Sequence, residues 1–124
     1  MESQPERIDE AALAAHLPLT PTVFEILLSL ATQPRHGYAI MQEVEHRSGG
    51  AVVLRPGSLY RAIHRLLQRG LVAELDGPVD EDERRRYYEL TQLGRAVAGA
   101  ETERYARTLA SPGAQALGNR SGRA

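Results

Sequence analysis

The sequence predicts a mainly α fold with a small β-hairpin, an α+β arrangement in the order helix, helix, small strand, helix, hairpin, helix. Three observations carry this prediction. Residues 56–70 place apolar and cationic side chains at helical spacing between two glycine-containing breaks. Residues 71–75 and 85–90 are short β-prone segments joined by a turn and an acidic stretch. Residues 20–31 and 91–110 show apolar residues at helical period behind a threonine suited to N-capping.

Taken in order, residues 1–7 are expected to be disordered. A short helix follows, with Asp9 as N-cap and Ile8 placed to staple against Leu13, ending before Pro18. Its apolar face, Leu13, Leu17 and several alanines, is small and needs a partner surface. Thr20-Pro21 opens the next helix, with Glu25 three residues after Thr22 as a second capping option, and Val23, Phe24, Ile26, Leu27, Leu28, Leu30 and Ala31 make it apolar almost all round, the mark of a buried centre. After the turn Gln33 to Gly37, a helix from Tyr38 to Ser48 turns Tyr38, Ile40, Met41 and Val44 inward and stops at Gly49-Gly50. Ala51-Val52-Val53-Leu54, β-prone and bounded by turn signals, reads as a small strand. In the helix that follows, Pro56-Gly57 breaks the chain, Ser58 can act as N-cap and Gly70 supplies the left-handed stop. At 100° per residue Leu59, Ile63, Leu66 and Leu67 share one face with Ala62 beside them. Arg61, His64, Arg65 and Gln68 lie opposite, and Tyr60 sits on the boundary. Strands 71–75 and 85–90 then make a hairpin with a long acidic tip, Asp80 to Glu83. Thr91 caps a final helix from Gln92 to Ala110, in which Glu101/Arg104 and Glu103/Arg107 are spaced as surface ion pairs worth a few tenths of a kcal/mol each. From Ser111 to Ala124 the composition is that of a disordered tail.

Among the 124 residues the formal net charge is −1, but it is sharply polarised. From Arg35 to Arg69 there are six arginines against two acids, and from Gly70 to Glu83 six acids and no arginine. All the basic residues are Arg, which can fork to guanine or to phosphate. The absence of Cys excludes disulfides, thiol catalysis and cysteine zinc sites. His16, His36, His46 and His64 fall on separate elements, so neither a metal nor a cofactor is expected. No spacing supports a nucleophile–base–carboxylate set or a phosphate-cradling glycine loop, and an enzyme is not expected. No apolar run is long enough for a bilayer, and the polar start Met1 to Glu6 does not read as a signal peptide, so a cytoplasmic protein without membrane association is expected.

Three helices, the third basic on its exposed face, with a hairpin behind them make a winged helix-turn-helix, residues 8–90. Residues 91–110 add a C-terminal helix. The motifs His36-Gly37-Tyr38, Pro56-Gly57-Ser58-Leu59-Tyr60, Arg65-Leu66-Leu67, Gly70-Leu71-Val72, Arg84-Arg85-Arg86-Tyr87-Tyr88 and Leu90-Thr91-x-x-Gly94 come in order over about residues 19–97. In them the chain resembles the PadR family of bacterial transcriptional regulators, in its short subgroup with a single C-terminal helix. The resemblance implies a homodimeric repressor on a near-palindromic double-stranded operator, its C-terminal helices and N-terminal helix forming the dimer interface. Family members often respond to phenolic or drug-like compounds. Two features depart from the pattern: the acidic hairpin tip, which would repel phosphate, and a C-terminal helix poor in large apolar residues, with Gly99 in its middle costing about 1 kcal/mol.

The DNA-binding candidates are Ser58, Tyr60, Arg61, His64 and Arg65 on the third helix, Arg55 before it, and Arg84, Arg85 and Arg86 on the wing. Arg61, early in the helix and centred on its exposed face, suits a guanine edge. Arg55, His64 and Arg65 suit phosphates. Ser58 is explained by capping alone. Tyr60 could offer its hydroxyl to a phosphate or its ring to a thymine methyl, or simply pack at the helix edge. Of Arg84 to Arg86 at most two face DNA together, and at least one is expected to pair with the neighbouring acids. Leu13, Leu93, Val97, Ala100, Tyr105 and Leu109 are the candidates for a dimer interface or a small aromatic effector site. The charge balance also leaves open a winged-helix protein–protein interaction module that does not bind DNA.

Overall fold

The computed structural model describes residues 8–77 and 86–118. Its elements are α1 (Glu10–Ala14), α2 (Pro21–Ser29), β1 (Arg35–His36), α3 (Gly37–Arg47), α4 (Pro56–Gln68), β2 (Val72–Asp76), β3 (Arg86–Leu90), α5 (Gln92–Leu109) and α6 (Pro112–Gly118). The fold is mainly helical with a small antiparallel sheet, the winged-helix arrangement expected.

Side-chain caps set several helix starts. Asp9 accepts the Ala11 N–H, Thr20 that of Val23 and Thr91 that of Gly94. α4 begins without one. Pro56 stands at its first position and Arg55 is an extended N-cap with no side-chain bond, so Ser58 lies inside the first turn and is not the cap. The reason is that proline fixes its own φ for a helix start and disfavours helical backbone in the residue before it. At the other end Gly70 takes φ 74°, and the N–H groups of Gly70 and Leu71 return to the carbonyls of Leu67 and Leu66, a Schellman closure.

The sheet has strand order β1-β3-β2. β2 pairs with β3 from Val72↔Leu90 to Asp76↔Arg86, and β1 with β3 through Arg35↔Tyr88 and His36↔Tyr87. The expected strand at Ala51–Leu54 therefore does not form; the third strand is Arg35–His36. Residues 51 and 52 are tied back to the end of α3, Ala51 N–H to the Ser48 carbonyl and Val52 N–H to Ser48 Oγ at 3.0 Å. Only Leu54 of the four is buried, and Val53 is exposed.

Ile26, Leu27 and Leu30 of α2, Ile40 and Val44 of α3, and Leu59, Ile63 and Leu66 of α4 form the core, continued by Leu71, Val72, Tyr88, Leu90 and Val97. Tyr38, expected inward, is 60% exposed. On a helix it lies roughly 160° from Ile40, which α3 buries fully. The expected tail is also corrected in part. Residues 112–118 form α6, where Ser111 accepts the Ala114 N–H and Gln115 donates to the Leu109 carbonyl at 2.6 Å. Ser-Pro at 111–112 repeats the helix-opening pattern of Thr-Pro at 20–21, in a segment whose composition is otherwise that of a loop.

Glu101 is a further correction. It is fully buried, not a surface partner of Arg104. Its carboxylate accepts the Leu19 N–H at 2.8 Å and two guanidinium N–H groups of Arg104 at 2.6 and 3.1 Å. The Arg104 bond holds its pKa below the ordinary glutamate value against the opposing effect of burial, with the Leu19 N–H helping.

Candidate nucleic-acid interface

α4 is held by its apolar face and leaves a continuous outer face free. Gly57, Tyr60, Arg61, His64, Arg65 and Gln68 line a shallow open groove of about 490 Å³ along it. Arg61 leans toward the helix N-terminus, as helical side chains do, its Nη2 lying 3.5 Å from Ser58 Oγ. Ser58, Tyr60, Arg61, His64 and Arg65 thus share one exposed surface, with Arg55 at its N-terminal end and Arg69 at its C-terminal end.

Most of the described arginines fall into two groups. Arg47 bonds the Glu25 carboxylate and carbonyl and also Glu43 at 3.3 Å. Arg35 donates to the Ser29 carbonyl at 2.6 Å and faces Glu43. Arg104 holds Glu101, and Arg95 donates to the Ala31 carbonyl. Arg55, Arg61, Arg65 and Arg69, all exposed on or beside α4, pair with no carboxylate among the described residues. Four guanidinium groups left unneutralised within one helix length give this surface a positive charge able to attract a polyanion.

On the described part of the wing one arginine pairs with neighbouring acids, as expected. Arg86 lies 3.5 Å from Glu74 and 3.7 Å from Asp76 on the neighbouring strand, so its charge is shared with its own sheet. Arg84, Arg85 and the acidic tip lie outside the described residues. Tyr87 and Tyr88 point to opposite sides: Tyr87 meets His36 edge-on at 5.3 Å, and Tyr88 is buried. Burial raises the Tyr88 pKa, Glu74 and Tyr60 add to the rise and Arg86 opposes it, so its phenol stays neutral under the sheet.

Tyr60 is pinned from behind. Its ring and hydroxyl occupy the space that a Cβ on Gly37 would need, so the first turn of α3 and the outer face of α4 are in direct contact. This contact joins two of the sequence motifs, His36-Gly37-Tyr38 and Ser58-Leu59-Tyr60, in one place. His36 completes it as N-cap of α3, its Nδ1 accepting the Ala39 N–H at 3.2 Å.

The Transcriptional regulator PadR-like family model matches residues 26–100. The chain belongs to this family. It is 31% identical over 71 residues to uncharacterized protein X of Lysinibacillus sphaericus, an alignment covering 57% of this chain and 65% of that one. The chain spans less than two thirds of the length of the curated relatives it matches, and only 22% of a second, from Streptomyces fradiae. Among solved structures it is similar to the complex structure of hsRosR-S4, with TM-score 0.66, 27% identity and coverage of 81% and 82% of the two chains. It is also similar in fold to a PadR-like transcription factor from Bacteroides fragilis, with TM-score 0.59, 22% identity and coverage of 70% and 82%.

The PadR-like match runs from α2 into α5 and so contains the entire α3–α4 surface. The C-terminal candidates are dispersed in the structure. Val97 is fully buried in the chain's own core and cannot line an interface. Leu13, Leu93 and Tyr105 are half-buried against that core, the Tyr105 ring tilted at 54° against Phe24 with centroids 4.9 Å apart. Ala100 is half-buried, whereas Leu109 on α5 and Leu117 on α6 are 61% and 80% exposed. Leu117 was hidden by its loop-like surroundings. Tyr38 and Arg69, missed as surface candidates, would have followed from plotting α3 from Ile40 and from extending the cationic face of α4 by one turn. Among the described residues no His/Cys/Asp/Glu group could hold a metal ion, and no helix is long and apolar enough to cross a membrane.

Proposed function

We propose that the protein is a homodimeric transcriptional repressor that sets α4 into the major groove of a double-stranded operator and works in the cytoplasm. One observation carries this reading: the row of unpaired arginines on α4, in a chain whose arginines elsewhere in the described fold are mostly bound to its own acids or carbonyls. Arg61, with Ser58 beside it, would read a base edge. Arg55, His64 and Arg65 would hold phosphates, and Tyr60 would present the rim of its ring from its seat on Gly37. Arg84 and Arg85 would approach the backbone from the wing, with Arg86 contributing least. Two protomers would meet through α5 and α6 around Leu109 and Leu117, with Leu13, Leu93 and Ala100 at the margin. A small aromatic effector at that seam, near Tyr105 and Leu109, would release the operator. A twofold dimer would space its half-sites by about 10 bp or a multiple.

The test is a fluorescence-anisotropy titration against the DNA upstream of the protein's own gene and against a scrambled duplex, at low and near-physiological salt. Tight binding to the upstream duplex that survives the higher salt is expected. Equal binding to both that vanishes with salt would refute sequence-specific regulation, and no binding by folded protein would favour a protein-interaction module.

A further inference from the structure

Behind the recognition surface, the segment between α1 and α2 and the back edge of α4 enclose a cleft of about 190 Å³. Leu19, Val23, Ala62 and Leu66 form an aliphatic floor; His16, Arg65 and Arg69 stand at its rim. The cleft wall is preformed. Leu19 is buried, and its N–H is fixed by the fully buried carboxylate of Glu101, itself held by Arg104. A site already ordered avoids the cost of assembling itself around a ligand. Neither Arg65 nor Arg69 has a carboxylate partner among the described residues, so the rim offers two guanidinium forks at the edge of an apolar surface.

We propose that this cleft binds a small organic anion, a carboxylate on a compact aliphatic body, and that its occupant competes with DNA for Arg65. Arg65 lines both the cleft and the outer groove of α4. Its guanidinium can fork to a carboxylate behind the helix or to a phosphate in front of it, and one arginine cannot do both at once. A bare phosphate would leave the aliphatic floor unused, and an uncharged apolar molecule would leave both arginines unanswered. The competition rests on α4 being the DNA-contacting helix; the anion site does not.

The probe is hexanoate, titrated into isotope-labelled full-length protein at constant ionic strength and followed by amide NMR, beside hexanamide and inorganic phosphate. Hexanoate should saturably shift the amides of residues 16–20 and 62–69, with hexanamide and phosphate each at least about ten-fold weaker. Arg69→Gln should weaken hexanoate at least about five-fold with the rest of the spectrum preserved. Hexanamide or phosphate binding as well as hexanoate, or an unaffected Arg69→Gln variant, overturns the site. In a second arm, saturating hexanoate should raise the Kd for the upstream duplex by the same factor by which the duplex weakens hexanoate. An unchanged duplex Kd with hexanoate bound overturns the competition through Arg65. Selective hexanoate binding by a protein that binds no duplex overturns the DNA reading and the competition, while the anion site stands.

Discussion

Gly94 and Gly99 lie in the same helix and should respond to alanine with opposite signs. In a helix interior, replacing Gly by Ala gains roughly 0.5–1 kcal/mol because the unfolded chain loses conformational freedom. Gly99 is exposed and a Cβ there meets nothing within 4 Å, so Gly99→Ala should show that gain in full. Gly94 is buried, and its Cβ would overlap the Leu71 carbonyl oxygen while lying 2.9 Å from the carbonyl carbon. These are backbone atoms, with no rotamer through which to yield. That carbonyl also accepts the Thr91 N–H at 3.1 Å, while the Leu71 N–H closes α4, so moving Leu71 loosens both helices at once. Forcing an extra carbon into a packed site costs about 1–3 kcal/mol, and a backbone obstacle puts this case at the upper end. Less the propensity gain, Gly94→Ala should lose about 2 kcal/mol, a fall in Tm of several degrees for a domain of this size. Urea unfolding followed by circular dichroism measures both variants, with an unchanged m-value showing that the comparison is of stability. A Gly94→Ala protein as stable as the wild type would refute the close approach of α5 to the Leu71 backbone.

Further outcomes are expected at Glu101, at Gly37 and at the arginines of α4. Glu101→Leu orphans the buried Leu19 N–H and should cost about 1–3 kcal/mol in the same urea assay, far above a surface pair. Because the folded-state pKa of Glu101 is lowered by Arg104, its contribution is complete above the unfolded value of about 4.3 and is lost as pH falls below it; wild type should lose stability more steeply than Glu101→Gln over that acid range. Gly37→Ala must push the Tyr60 ring aside, and a side chain yields more easily than backbone, so unfolding should change by less than about 1 kcal/mol while operator affinity measured by anisotropy falls several-fold. Arg61→Ala should cost about 1–3 kcal/mol of operator binding and relax preference at one position, whereas Arg65→Ala should weaken all duplexes alike and flatten the salt dependence by about one ion.

What was legible in the sequence is what local chemistry decides. Thr20 and Thr91 cap their helices, Gly70 closes α4, and the face containing Leu59, Ile63 and Leu66 is the buried one, because each depends on residues a turn away. The same local rules misplace the strand at 51–54. β-propensity marks residues able to pair, but β3 had one free edge and Arg35–His36 occupied it. Glu101 shows the limit most plainly. Spacing alone makes it a surface partner of Arg104, since nothing in residues 97–105 announces that Leu19, 82 positions earlier, arrives with an unpaired N–H. The site divides in the same way. That α4 is cationic could be read from its wheel, but that its arginines are unneutralised could not, because Arg35 and Arg47 belong to the same basic run and are spent on Glu25, Glu43 and the Ser29 carbonyl. Net charge counts both kinds alike. A polyanion meets only the unneutralised kind, so a formal charge of −1 is no obstacle to a surface whose free charge is four arginines.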